Sequence, residues 1–425
     1  MNPGMASNKG ETSLGDAPRE EHGYPLILVA LLVASLIISA AFLLRDSGVV
    51  PGHPMDQSFA SAADLSIRHT GGHWTFQYPS LQSSGGITST LIAGVYKLII
   101  PTSKATLNWH IRILAMVMYL GSSWWLVRSL VASASGRILA YLVICISGFQ
   151  FLQPSSDLFA GAFFSLALIG LRRGWPPVLT ALLLAVFGLT KVEMIAAAVV
   201  IAVLWGIREH HLGRRHPAQL TWFTCGWLLL FLAPGLLLQG ASPAGADRSM
   251  LAFITAYTDF FSRHQFGGFH GTIDIATMKS VRETQFPGAK NLLDIITRYP
   301  GLYADFLGMS TARSLPNLIH AGKLMLIPLG LVIVQNQRLS SLRPYLFILL
   351  AASAFTLIPA WLIIFVKIRY VAKLFPAIVA IAVGGCIELS ATNRLATRIL
   401  WACGLGTLLW EAWFLQDMWQ YSHFR

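Results

Sequence analysis

The sequence predicts an all-α polytopic membrane protein, and three observations lead there. Hydrophobic residues make up 55% of the 425 and charged residues only 12%, where a soluble domain carries about 25% charged residues. Mean hydropathy is +0.60, so the chain has too little polar surface to face water on all sides. Apolar runs near the length of about 20 residues that crosses a ~30 Å hydrocarbon core recur from end to end. The net charge of +12 does not point to a nucleic-acid partner. The arginines punctuate the apolar runs, which is the positive-inside pattern of membrane proteins.

Eleven candidate spans follow: residues 25–44, 111–131, 137–153, 157–171, 177–190, 194–207, 220–239, 316–334, 346–365, 375–389 and 399–414. Residues 1–24 read as a polar cytoplasmic tail, with no small-residue cleavage site after the first run, so that run is not a cleaved secretion signal. The remainder, 25–425, reads as one transmembrane domain. With the N-terminus cytoplasmic, alternate links carry Arg128 and Arg137, Arg172 and Arg173, then Arg208, Arg214 and Arg215. Arg338 with Arg343, and Arg394 with Arg398, complete that series. Two long loops, about 45–110 and 241–313, fall on the outer side, and Trp410, Trp413, Trp419 and Tyr421 read as an interfacial anchor. Cys145, Cys225, Cys386 and Cys403 all lie in apolar runs, with neither metal-ligand spacing nor a disulfide framework.

Four cations break the arginine pattern. Lys191 sits in a very short outer link, and Lys367, Arg369 and Lys373 share another. Cations kept on the outer side suggest an anionic ligand there, and snorkelling to lipid phosphates is the alternative for Lys373 and for Lys191.

The first outer loop holds the densest chemistry. It runs through Asp56-Gln57, Asp64, Arg68, His69, His73-Trp74, and Tyr78-Pro79-Ser80-Leu81-Gln82. The apolar stretch 87–100 that closes it is too short and too polar at its start for a span, so it is expected to lie in the interface.

An acidic residue some ten positions past the first span, a downstream Tyr-Pro-x-Leu and an interfacial helix together resemble the GT-C superfamily of membrane glycosyltransferases. The likeness is nearest to the branch of protein O-mannosyltransferases and lipid A aminoarabinose transferases. Three further matches extend it: Ser156-Asp157 opening the fourth span, Gly188-Leu189-Thr190-Lys191 ending the fifth, and Arg369-Tyr370 with Pro376 opening the tenth. Asp56-Gln57 stands where many relatives have Asp-Glu, and Tyr78-Pro79-Ser80-Leu81 where Tyr-Pro-Pro-Leu is frequent.

The resemblance implies sugar transfer from a polyprenyl-phosphate sugar to a glycan, lipid or protein acceptor at the outer leaflet. Asp56 is then the expected base and Asp157 the second catalytic carboxylate, orienting Arg369, the acceptor or a divalent cation. An N-cap of the fourth span is the plain alternative for Asp157. Lys191, Arg369 and Tyr370 would hold the donor phosphate. Lys323, inside the eighth span with His320, is a further phosphate candidate by its depth, or a structural partner of Glu411. His73, Trp74, Tyr78 and Gln82 would line the sugar and acceptor pocket, although His73 and Trp74 also suit an interfacial pair.

In the second outer loop, His264, His270 and Asp274 match no common zinc spacing, and Gly267-Gly268 suits a hinge in a lid. No cofactor is required by the sequence, and metal dependence stays open. A lipid or lipid-linked sugar flippase would also explain the spans and buried cations, but not an acid-bearing first loop with an interfacial helix. The lack of an internal repeat also counts against it. A polysaccharide ligase or polymerase is the other rival. The absence of long cytosolic domains suits a bacterial inner membrane.

Overall fold

In the computed structural model, residues 67–70, 73–76, 86–100, 104–147, 155–214, 216–239, 244–261 and 275–421 are described. The candidate span 25–44, Asp56, Tyr78, Gln82, and His264, His270 and Asp274 lie outside the described residues.

The described chain is helical apart from one hairpin. Strands β1 (Ile67–Thr70) and β2 (His73–Phe76) pair antiparallel, with His69 opposite Trp74. The helices are α1 (Gly86–Ile99), α2 (Lys104–Leu130), α3 (Ala134–Ser147), α4 (Ser155–Arg173), α5 (Pro177–Gly188), α6 (Val192–His211) and α7 (Gln219–Gln239). Next come α8 (Ala244–Phe261), α9 (Ile275–Gln285), α10 (Leu292–Arg298) and α11 (Pro300–Gly322). A 3-10 turn (Lys323–Met325) leads to α12 (Leu326–Val334), followed by α13 (Arg343–Ile363), α14 (Ile368–Ala372), α15 (Phe375–Ser390) and α16 (Arg394–Tyr421). Among the described residues, four segments are long and apolar enough to cross a membrane: Ile113–Leu130, Glu193–His211, Pro300–Val334 and Arg343–Ile363. Shorter apolar helices, among them Ala134–Ser147, Pro177–Gly188 and Phe375–Ser390, pack between them.

The helix ends sort into two groups. At one, Arg172 lies over the Tyr345 ring and Arg173 over the Trp125 ring, 5.7 and 5.2 Å from the centroids. There too Glu388, near the end of α15, accepts hydrogen bonds from Ser340 and Ser341 just before α13. This is the arginine-bearing end. Gly174 stops α4 with φ +66°, a conformation that suits glycine, and the Trp175 N–H returns to the Gly170 carbonyl before Pro176 forbids further helix.

At the other end α1 docks by its first turn. The Thr88 N–H and hydroxyl donate to the carbonyls of Leu189 and Val186 at 3.2 and 2.7 Å. Those bonds satisfy acceptors that the end of α5 would otherwise leave without partners. Ile87 packs with Ala185, Leu189 and Leu228, while Val95, Leu98, Ile99 and Ile100 are exposed. An apolar outer face on a docked helix is what an interfacial helix requires.

Above the same end, α8 to α11 form a second core around Phe253, Tyr257, Phe260, Phe286 and Phe306. Its α10 is capped by Asn291, whose Oδ1 accepts from Asp294 N at 2.9 Å, while Asp294 Oδ2 accepts from Lys290 N at 2.8 Å. One face of α11 is laced to the end of α13. The hydroxyls of Tyr303 and Ser310 donate to the Leu362 and Trp361 carbonyls, Ser314 accepts from Val366 N, and Asn317 donates to the Val366 carbonyl. The segment expected to begin at Pro316 therefore begins at Pro300, and Pro316 lies inside α11.

Candidate functional site

Three helix starts converge at the end where α1 docks. Asp157 lies in the first turn of α4, Glu193 in the first turn of α6, Lys191 at the cap of α6, and Lys373 between α14 and α15. Carboxylates in a first turn are favoured by the positive end of the helix, whereas cations there are not. Lys191 is also an unusual cap: its backbone is extended and its side chain makes no capping hydrogen bond. That side chain instead reaches Asp157.

The four charges alternate in sign. Lys191 Nζ is 2.8 Å from Asp157 Oδ1, Lys373 Nζ is 3.5 Å from the same oxygen, and Lys373 Nζ is 3.6 Å from Glu193 Oε1. Exposure is graded along this series: 15% for Lys191, 0% for Asp157 and Lys373, and 33% for Glu193. The Tyr370 ring lies beside both ammonium groups, its centroid 5.3 Å from Lys191 and 5.1 Å from Lys373. Burial pushes the Lys373 ammonium below the usual lysine range and Lys191 adds to that, while Asp157, Glu193 and Tyr370 oppose it. Lys373 makes no hydrogen bond among the described residues and is held by two ion pairs and the Tyr370 ring.

Close packing fixes the arrangement. The Tyr119 hydroxyl donates to the Ala372 carbonyl at 3.2 Å, tying α2 to the residue before Lys373. Gly161, one turn into α4 from Asp157, makes room for that contact: a Cβ there would meet Tyr119 Cε2 at 2.7 Å and Ala372 O at 3.2 Å.

Several expectations meet the structure here. Asp157, Lys191 and Tyr370 are brought together. Asp157 is the third residue of α4, in its first turn. Lys373 is fully buried against two carboxylates, so it does not snorkel to lipid. Arg369 belongs to α14, next to Tyr370, and its side chain lies outside the described residues. His73 and Trp74 begin β2; their side chains also lie outside the description. Lys323 stands apart: it sits at the break after α11 with φ +48° and pairs with Glu411 of α16, both buried. Lys373 was read from the sequence only as one of four outer cations, Glu193 was not singled out, and the only signal for Glu193 was its place two residues after Lys191.

Asp157 Oδ1 faces two ammonium groups, Lys191 at 2.8 Å and Lys373 at 3.5 Å. Lys191 is a partly exposed point charge with three donors on a flexible stem, which suits an anion. No protein-family model matches the chain, nor does any curated protein or solved structure.

Proposed function

We propose that this protein is a membrane glycosyltransferase of GT-C type, moving a sugar from a polyprenyl-phosphate donor to an acceptor hydroxyl or amine at the extracytoplasmic face. Eleven spans with a cytoplasmic N-terminus accompany that reading, in a bacterial inner membrane. The observation that carries it is the placement of Lys191, Asp157, Tyr370 and Lys373 at one end of an apolar bundle, opposite the arginine-bearing end and beside a helix with an exposed apolar face. Charges at that depth are costly unless function retains them.

In the reaction, the acceptor oxygen or nitrogen attacks the anomeric carbon, and the bond from that carbon to the phosphate oxygen breaks. The bonding pair leaves with the polyprenyl phosphate. Lys191 meets the growing charge on that phosphate, with Arg369 and Tyr370 supplying further donors. The acceptor's proton passes to a carboxylate, for which the resemblance implies Asp56, and a single displacement inverts the anomeric centre.

The test is release of polyprenyl phosphate from polyprenyl-phosphate sugars by purified protein. Release is expected from wild type and is expected to fall at least a hundredfold in Asp56→Asn with the fold intact. Equal turnover in both removes Asp56 from the mechanism. No turnover, together with lipid movement in vesicles, replaces the transferase with a flippase.

A further inference from the structure

We infer that the arginine-bearing end holds a second anion site, which takes the phosphate of a net-negative phospholipid and is built from Arg172, Arg208 and the rings of Tyr345 and Trp205 between them. It does not rest on the transferase reading, because it uses only the bundle and the end opposite the charged cluster.

Four groups stand in a row across three helices. The Arg172 guanidinium, in the last turn of α4, lies 5.7 Å from the centroid of the Tyr345 ring in the first turn of α13. That ring is tilted 44° to Trp205 of α6 with centroids 6.0 Å apart, and Arg208 covers the Trp205 ring at 4.4 Å. The charges of both arginines reach the Tyr345 hydroxyl. A ring against the face of a guanidinium leaves its N–H edge free, and that edge is the part that matches two phosphate oxygens. Tyr345 is 3% exposed, so the bundle fixes the rings and the arginines are held in place before a ligand arrives.

The charge in this group is not balanced. Glu209 is divided between Arg208 at 2.9 Å and Arg214 at 3.5 Å. Arg172 pairs with no carboxylate among the described residues. Three guanidiniums against one carboxylate leave two positive charges, and a phosphate supplies negative charge to meet them. A headgroup that also carries an ammonium brings a further cation, so a net-negative headgroup is selected over a zwitterionic one.

Depth separates a lipid from a dissolved anion. The helices are apolar on their outside up to the level of the arginines. On α6, Val203 and Ile207 are exposed just before Arg208, and on α13, Phe347 and Leu350 are exposed just after Arg343. Such side chains meet acyl chains, which sets the lipid phosphates level with the guanidiniums. Trp and Tyr, the two ring types in the row, are the ones that gather at that level.

The experiment uses the purified full-length chain in neutral detergent, with phosphatidylglycerol, phosphatidylcholine and inorganic phosphate as probes. Binding is read by native mass spectrometry and folding by thermal unfolding. Wild type is expected to bind phosphatidylglycerol roughly tenfold more tightly than phosphatidylcholine. Arg172→Gln/Arg208→Gln is expected to weaken phosphatidylglycerol about thirtyfold, since a basic residue near the membrane surface contributes about fivefold. Phosphatidylcholine binding is expected not to change. Arg394→Gln/Arg398→Gln removes the same charge from the start of α16 and is expected to leave phosphatidylglycerol binding near wild type. Where the first variant does not fold, Arg172→Lys/Arg208→Lys keeps the charge, loses the ring-backed fork, and is expected to weaken binding by about threefold or more. No lipid preference in wild type, an equal loss in the α16 variant, or unchanged binding in whichever Arg172 variant folds overturns the site. Inorganic phosphate that displaces the lipid at equal concentration overturns the lipid as its occupant.

Discussion

Among the described residues, two groups of buried opposite charges are built differently. Lys323 and Glu411 form a sealed pair between the break after α11 and α16, with side-chain exposures of 0% and 1%. Asp157, Lys191, Lys373 and Glu193 form a series of four in which exposure rises from a sealed centre to accessible ends. The first is closed: each charge has its counter-charge, and Leu324 and Leu326 beside Lys323 pack against the close-approach glycines Gly406 and Gly322. The second is graded, so a ligand can replace a member without desolvating a new charge. Intramembrane charge alone does not separate structure from function. Access does.

The largest expected effect breaks the closed pair. Glu411→Leu leaves Lys323 buried without its counter-charge and is expected to lower stability by about 3–5 kcal/mol, seen as a lower midpoint of thermal unfolding in detergent. Lys323→Met/Glu411→Leu is expected to return within about 1 kcal/mol of wild type or exceed it, since apolar residues of similar volume replace a buried pair well. The matching neutral swap in the graded cluster, Asp157→Asn/Lys373→Met, is expected to restore stability but not turnover. If both double variants keep turnover, the distinction between the two groups fails. A smaller effect is expected at Gly161. Gly161→Val forces bulk against Tyr119 and the Ala372 carbonyl, with a loss of about 1–3 kcal/mol and a lower affinity for polyprenyl phosphate. An unchanged melting midpoint and affinity would show that α4 and α14 have slack.

Hydropathy made most helices legible, because lipid leaves a helix little choice but a long apolar run. The segment from 300 to 315 escaped because its inner face carries Tyr303, Ser310 and Ser314. Those polar groups serve the exposed carbonyls and N–H at the end of α13 rather than water. The second aromatic core escaped for a related reason. Phe253, Tyr257 and Phe260 recur at helical spacing, but in a segment read as an outer loop. Within the site, Asp157, Lys191 and Tyr370 were recognisable from short motifs. Lys373 was not separable from a lipid-facing lysine, because burial is a property of the packed bundle and leaves no mark in a short polar link. Glu193 belongs to the same difficulty: a first-turn glutamate is ordinarily a helix-dipole partner.

The most direct test of the account compares polyprenyl-phosphate release by wild type, Lys191→Met and Lys323→Met/Glu411→Leu, each first shown to be folded. The graded cluster being the donor site, release is expected to fall at least a hundredfold in Lys191→Met and to stay within about threefold of wild type in the double variant, as loss of one charged contact in the transition state commonly costs 10²–10³. Release that survives in Lys191→Met and collapses in the double variant would place the chemistry at Lys323 and contradict the account.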